Sequence, residues 1–253
     1  MKKILGSLVI VVLILALGLY FTGQYFLGSI AKAGVNKFGP GITQTRVNLD
    51  GAHISPFSGA GTLSGLTVGN PTGWSAGDAL SLGKIHMHVE PMSLFKDVIV
   101  INELIIEQPE FLYETKIIAS NIGDLMKNVE ASMGNRTAQP QTEEGKPIKM
   151  IIKKLVLREG RVKLGLGTQV TTLPMPPIDM TDIGVAEGGV TPTAVAYAVM
   201  RNVTTNVVSA AAGALTQVGG TSGATAAEAA KQAGEAIKGF FSGEKKKQPE
   251  ANK

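Results

Sequence analysis

The segment 98–115, VIVINELIIEQPEFLYET, meets itself when the chain is shifted by fifty-one residues. Val100, Leu104, Ile106, Glu107, Pro109, Glu110, Phe111 and Tyr113 then fall on Ile151, Leu155, Leu157, Arg158, Gly160, Arg161, Val162 and Leu164. A turn former and a charge are kept at the join, so the spacing predicts a β-hairpin unit that occurs twice. This repeat constrains the fold more than any other stretch, and it holds no catalytic motif.

The N-terminus sets the second constraint. Ile4 to Ala31 carries no charged residue, and at the helical rise the dense part, Ile4 to Phe21, spans roughly 27 Å, close to the hydrocarbon thickness of a bilayer. Residues 1–31 are therefore predicted to be a transmembrane signal-anchor helix touching the bilayer through residues 4–27. Tyr20, Phe21, Tyr25 and Phe26 stand at the headgroup level of its far end, and Lys2 and Lys3 mark the cytoplasmic end. A cleaved signal peptide is the competing reading, because Ala31-Lys32-Ala33 has the small-x-small pattern of a cleavage site. The apolar run is longer and further from that site than such a peptide requires, which favours the anchor.

Residues 32–184 are predicted to be the β body. Ala33 to Pro40 reads as a short connecting segment or the last turn of the preceding helix, closed by Gly39-Pro40-Gly41. Strands follow at Val47–Ile54 and Gly61–Val68, separated by the turn residues Ser55 to Gly59. Trp74, the one tryptophan, reads as a plug over the sheet. From Leu80 to Glu90 the alternation is clear: Ile85, Met87 and Val89 on one face, Lys84, His86, His88 and Glu90 on the other. Val98 to Ile101 is nearly continuous in apolar residues, as expected of a strand covered on both faces or of one lining an apolar groove. Ser120 or Asn121 caps a short crossover helix with Ile122, Leu125, Met126 and Val129 on one stripe. Residues 134–147 read as a flexible loop, and Gln169 to Met175 as one more strand before Pro174, Pro176 and Pro177 break the ladder. Residues 185–243 form a C-terminal helical segment. Thr191-Pro192 starts a helix with Val195, Val199, Val203, Val207, Ala211 and Leu215 in line, and Ala224 to Phe241 forms a second Ala-rich helix. Residues 244–253 are expected to be a disordered basic tail.

The usual chemical signatures fail on context. Gly73-Trp74-Ser75-Ala76-Gly77 has the spacing of a nucleophile elbow but follows Asn70-Pro71, and no histidine occurs beyond His88. Gly77 to Lys84 has one residue too many for a phosphate-binding loop. His86, His88 and Glu90 share a strand face with His53 elsewhere, too few placed ligands for a structural zinc site. The absence of cysteine removes disulfides and thiolate chemistry. The net charge of +4 owes much to Lys2, Lys3 and Lys245 to Lys247, at the two ends of the chain, so a nucleic-acid face is disfavoured. Neither an enzyme nor a cofactor is expected.

Taken in order, the apolar N-terminus, FSGAGTLSGLTVGNPTGW, LSLGKIHMHVEPMSLFKDVIVINELIIEQPEFLYE, the helix beginning at Asn121, KKLVLREGRVKL and LPMPPIDMTDIG resemble the small AsmA-like proteins of Gram-negative bacterial envelopes. The similarity covers Val47 to Gly184. It implies a single-pass inner-membrane protein with the bulk of the chain in the periplasm, and a mainly β fold with α additions: a curled antiparallel sheet of hairpin repeats around an apolar groove. It also implies a part in envelope maintenance or phospholipid movement, with no catalytic residues to carry over. Val98, Ile99, Val100, Ile101, Ile105, Leu155 and Leu157 are the expected groove lining. With only one echo of the unit, the groove should be short. A weaker similarity, to LEA-type β-sandwiches, gives the alternative of a packed scaffold that binds other envelope proteins.

Overall fold

The two copies of the repeat lie side by side as parallel strands, each residue beside its own echo. In the computed structural model, which describes residues 18, 25–116, 119–133, 140–141, 145–166 and 169–218, β4 (Val98–Glu107) pairs with β6 (Lys149–Arg158) from Val98↔Lys149 to Glu107↔Arg158. Likewise β5 (Glu110–Glu114) pairs with β7 (Arg161–Leu166) from Glu110↔Arg161 to Glu114↔Gly165. The interval found in the sequence is the register of the sheet.

The unit is not a hairpin. β4 and β5 do not pair with each other; both lie antiparallel to β3 (Asp78–Val89), in one register from Leu80 to His88 that sets Lys84 against Glu107 and Ser81 against Glu110 and shifts only between His88 and Val89. They are two halves of one long strand. β6 and β7 are arranged the same way, as are β8 (Gln169–Pro174) and β9 (Ile178–Ile183), which run antiparallel to β7 and β6. With β1 (Val47–Ile54) and β2 (Ala60–Gly69) on the far side of β3, the nine strands make six runs in one open, mixed sheet. The expected all-antiparallel sheet is thus corrected at its centre. Two consecutive copies joined by a helical crossover must run in the same direction, and a parallel pair follows.

One crease crosses the whole sheet, and a second phase change crosses β4, β6 and β9 alone, from Ile101 to Leu104, Ile152 to Leu155 and Met180 to Ile183, with Asp182 at φ 57°. In each run the inward alternation skips a residue at the same level: Val47 and Leu49 give way to Ala52 and Ile54, Leu80 and Leu82 to Ile85, Ile106 to Phe111, Leu157 to Val162, and Met175 to Ile178. Two neighbours point outward there, among them Gly65, Gln108 and Glu159 at φ of 64°, 50° and 57°. Left-handed backbone at one residue turns the pleat over, so the apolar phase changes. The change of phase falls at one level in neighbouring runs, so their pairing carries through it, although only β2, β4–β5 and β6–β7 have a left-handed residue there. Glycine is required in β2, where a Cβ on Gly65 would lie 2.1 Å from Asp50 Oδ2.

Among the described residues, three α-helices complete the fold. α1 occupies residues 25–43, so the expected connecting segment 33–40 is helical, and it ends where Gln44 turns to φ 54° with its N–H on the Pro40 carbonyl at 2.9 Å. It seals the outer edge of the sheet. Asn36 accepts from Leu49 N (2.7 Å) and donates to Leu49 O (3.4 Å), while Lys32 donates to Asp50 O (2.7 Å), so side chains answer backbone groups of β1 that have no neighbouring strand. α2 (Asn121–Ser132) is the predicted crossover, capped by Ser120, which accepts from Gly123 N at 3.1 Å. α3 (Pro192–Val218) packs on α2 and reaches β5, β7, β8 and β9. The core comprises the inward residues of the sheet, the α2 stripe, and Val195, Met200, Val203, Val207, Val208 and Ala211 of α3.

The strand β9 was not expected after the prolines. Pro176 and Pro177 fall at the crease, where an outward pair needs no ladder bond, and pairing resumes at Ile178↔Leu157. Of the expected anchor, only residues 18 and 25–31 are described, and the second Ala-rich helix and the tail lie outside the described residues. Among the described residues no helix is long and apolar enough to cross a membrane. Part of the expected loop 134–147 is held by a bridge between Gln141 and Pro147.

Candidate functional site

The seven residues expected to line one groove divide between two faces. Ile101, Leu155 and Leu157 are buried, at 9%, 1% and 1% exposure, and Ile99 packs against them; these face the helices. Val98, Val100 and Ile105 are half-buried on the opposite, outward face, where Ile105 lies between His86 and Val156 in register. The run Val98 to Ile101 is apolar on both sides, and nothing in its composition distinguishes the side turned to the core. Periodicity across the crease separates them: Leu104 and Ile106 must share a face with Phe111 and Tyr113, leaving Ile105 outside.

The inward side is a trough of aliphatic residues from all six runs. Its floor is occupied. α2 sets Ile122, Leu125 and Val129 into it, and α3 adds mostly Val and Ala, which bury little area per residue. Among the described residues, three buried hydroxyls, on Tyr113, Thr193 and Thr204, find no hydrogen-bond partner. Ser120 and Thr115 stand near Tyr113 without closing a bond to it, and burial pushes the Tyr113 pKa up against their influence. An unanswered hydroxyl in an apolar layer costs free energy, about 1–3 kcal/mol each, and two of these three belong to α3.

A second polar centre joins the turn 70–77 to α2. Asn121, fully buried, accepts from Glu114 N (2.9 Å) and donates to Leu112 O (2.7 Å) and Asn70 Oδ1 (2.8 Å). Asn70 Nδ2 in turn meets Ser75 O, Ser75 Oγ and Glu114 Oε2 at 3.1–3.2 Å. Trp74 donates from Nε1 to Asp124 Oδ2 (3.0 Å), and Lys116 Nζ sits 4.4 Å from its ring centre while donating to Gly73 O. Trp74 thus clasps the start of α2 and is no plug over the sheet. Ser75, the residue at the nucleophile position of the look-alike motif, has Asn70 and Glu114 as neighbours and no imidazole. A shallow cleft of about 240 Å³ opens here, lined by Arg46 and residues 69–77.

The outward face is charged in bands. The first copy carries Glu103, Glu107 and Glu110; the second answers with Lys154 at 3.0 Å from Glu103, Arg158 on Glu107, and Lys163 at 2.9 Å from Glu110. Arg158 holds the Glu107 carboxyl below its usual range, and Glu107 raises Arg158 in return. His86 Nε2 stands 3.6 Å from Glu107 and its Nδ1 is 3.4 Å from Thr62 Oγ1, while His53 lies across β2 on the far side of Thr62. Among the described residues no three His, Asp or Glu side chains converge as metal ligands. No family model, no curated protein and no solved structure matches this chain.

Proposed function

We propose that this chain is a single-pass envelope protein of the AsmA-like type that handles lipid in the trough, with α3 as the trough's own occupant when no lipid is present. The observation that carries this reading is the one-sidedness of the sheet. Six runs, crossed by a common crease, keep one face aliphatic along their whole length and the other charged, an arrangement that shelters acyl chains as readily as it shelters a helix. The composition of α3 supports the exchange, since a helix of small residues whose own Thr193 and Thr204 hydroxyls find no partner among the described residues is displaced at less cost than one of Leu and Phe. The bilayer anchor at residues 4–27 and the periplasmic location of the body belong to the same proposal.

The test uses the face assignment. Photo-reactive side chains placed at Ile101 and Leu155 should capture phospholipid in envelopes, whereas the same probe at Ile105 should not, and native mass spectrometry of the full chain should show bound phospholipid. Absence of lipid from both measurements sinks the proposal. A scaffold that binds other envelope proteins is the second reading, favoured by the burial of Leu155 and Leu157 under the helices. The LEA-type sandwich imagined for it is replaced by one sheet covered with helices.

A further inference from the structure

One end of the sheet gathers four of the nine large exposed apolar side chains found among the described residues. Phe95 (81% exposed) and Met92 (65%) stand on the 3₁₀ turn Pro91–Phe95 between β3 and β4, and Phe57 (68%) on the turn between β1 and β2. Val185 (46%) lies on the turn that follows β9. These turns are neighbours. Val89 N donates to Gly59 O at 2.8 Å, Glu90 N to Val100 O at 2.8 Å, and a Cβ on Gly189 would meet Val98 and Lys149 at 3.0 Å. The opposite end carries the polar clasp of Trp74, Asn70 and Asn121; among the described residues, Met133 and Val170 are the exposed large apolar side chains outside the first group and α1.

α1 enters at the apolar end. It runs antiparallel to β1, with Gly28 against the Ala52 carbonyl, Lys32 on Asp50, Asn36 on Leu49 and Gly39 against Val47. Continued back to Tyr25 (74% exposed) and Phe26 (64%), it reaches the level of the turn that bears Phe57. The sequence before Tyr25 is the charge-free run from Ile4. Exposed aromatic and thioether side chains crowded where an apolar segment joins the body have one environment that removes them from water, the headgroup and upper acyl region of a lipid surface.

We infer that this end is a membrane-seated rim: Phe95 and Met92 enter the interface of the bilayer that holds the anchor, and the sheet stands end-on with the trough opening at the lipid. The inference rests on the anchor proposed above. Its charges are mixed, with Lys96 and Lys149 beside Asp97 and Glu187, so attachment is apolar and should persist at high salt.

The single native tryptophan makes the test direct, because Trp74 lies at the other end. The full chain is reconstituted in vesicles of phosphatidylethanolamine and phosphatidylglycerol containing brominated acyl chains, first unaltered and then as Phe95→Trp and Met92→Trp, each combined with Trp74→Phe. Flotation with the vesicles reports the anchor. The expected result is flotation of every form, with quenched and blue-shifted emission from the two rim tryptophans and unquenched emission from Trp74. Flotation without rim quenching overturns the rim and leaves the anchor standing; quenching of Trp74 as strongly as the rim overturns the end-on orientation. A chain that does not float sinks the anchor and the rim with it.

Discussion

The two copies of the repeat share a backbone and differ in almost everything that touches it. Residues 98–114 and 149–165 place left-handed residues at the same level, Gln108 and Glu159, bridged at 3.0 Å, and each buries aliphatic or aromatic side chains inward on both sides of the crease. Outward, the first copy is acidic and the second basic. The comparison separates two kinds of constraint. Inward positions are held to volume and polarity by the core, whereas outward positions are free to differ as long as neighbours attract. Had both copies kept Glu at these levels, like charges would face each other across a parallel pair.

The largest expected effect sharpens that contrast. Leu155→Ala empties a site that is 1% exposed and should cost about 3 kcal/mol in denaturant unfolding, while Leu104→Ala, its half-buried partner in register, should cost clearly less. Equal losses would show that the copies are buried alike. Next, only the first copy leads into a crossover held by a buried amide. Asn121→Ala should cost roughly 2 kcal/mol by leaving Glu114 N and Leu112 O unanswered, and amide exchange should rise first at the start of α2. The crease itself comes third. Glu159→Val forces a β-branched residue into φ 57° and should destabilise by roughly 1–2 kcal/mol, whereas Glu159→Gly should be close to neutral. Finally, reversing Glu107 to Arg should weaken the fold slightly at low salt, and adding Arg158→Glu should restore it. Because Arg158 lowers the Glu107 pKa, the stabilisation from this pair is complete above the ordinary glutamate value of about 4.3 and is lost as pH falls through the lowered one. An acid titration of the Arg158→Gln variant should therefore lose its dependence in that range.

Much of the fold could be read from the residues, and the failures share a cause. Strand bounds at Val47–Ile54 and the α2 stripe follow from local periodicity, which the sequence displays directly. The 51-residue interval was visible too, but its turn-like join, Gln-Pro in one copy and Glu-Gly in the other, reads locally as a hairpin. A residue at positive φ serves a tight turn and a strand crease equally well, and only the neighbouring run decides between them. The same ambiguity hid β9 behind Pro176 and Pro177. The site was harder. Four of the seven groove residues face the interior and three face outward, since a run such as Val98 to Ile101 is apolar in both phases. Asn121 gave only the signal of a cap, and its partners, Asn70 and Glu114, lie 51 and 7 residues away in the chain, beyond any local pattern.

The crease bears on how the chain finds its pairing. A flat, regular sheet of aliphatic strands offers many nearly equivalent alignments two residues apart, each of which keeps the same side chains on the same face. Here such a shift would separate the Gln108 and Glu159 levels of the parallel pair and set the outward pair of one run beside inward residues of the next. One misplaced step is then penalised along the entire run, so the six bends act together as an alignment key that leaves a single low-energy assembly.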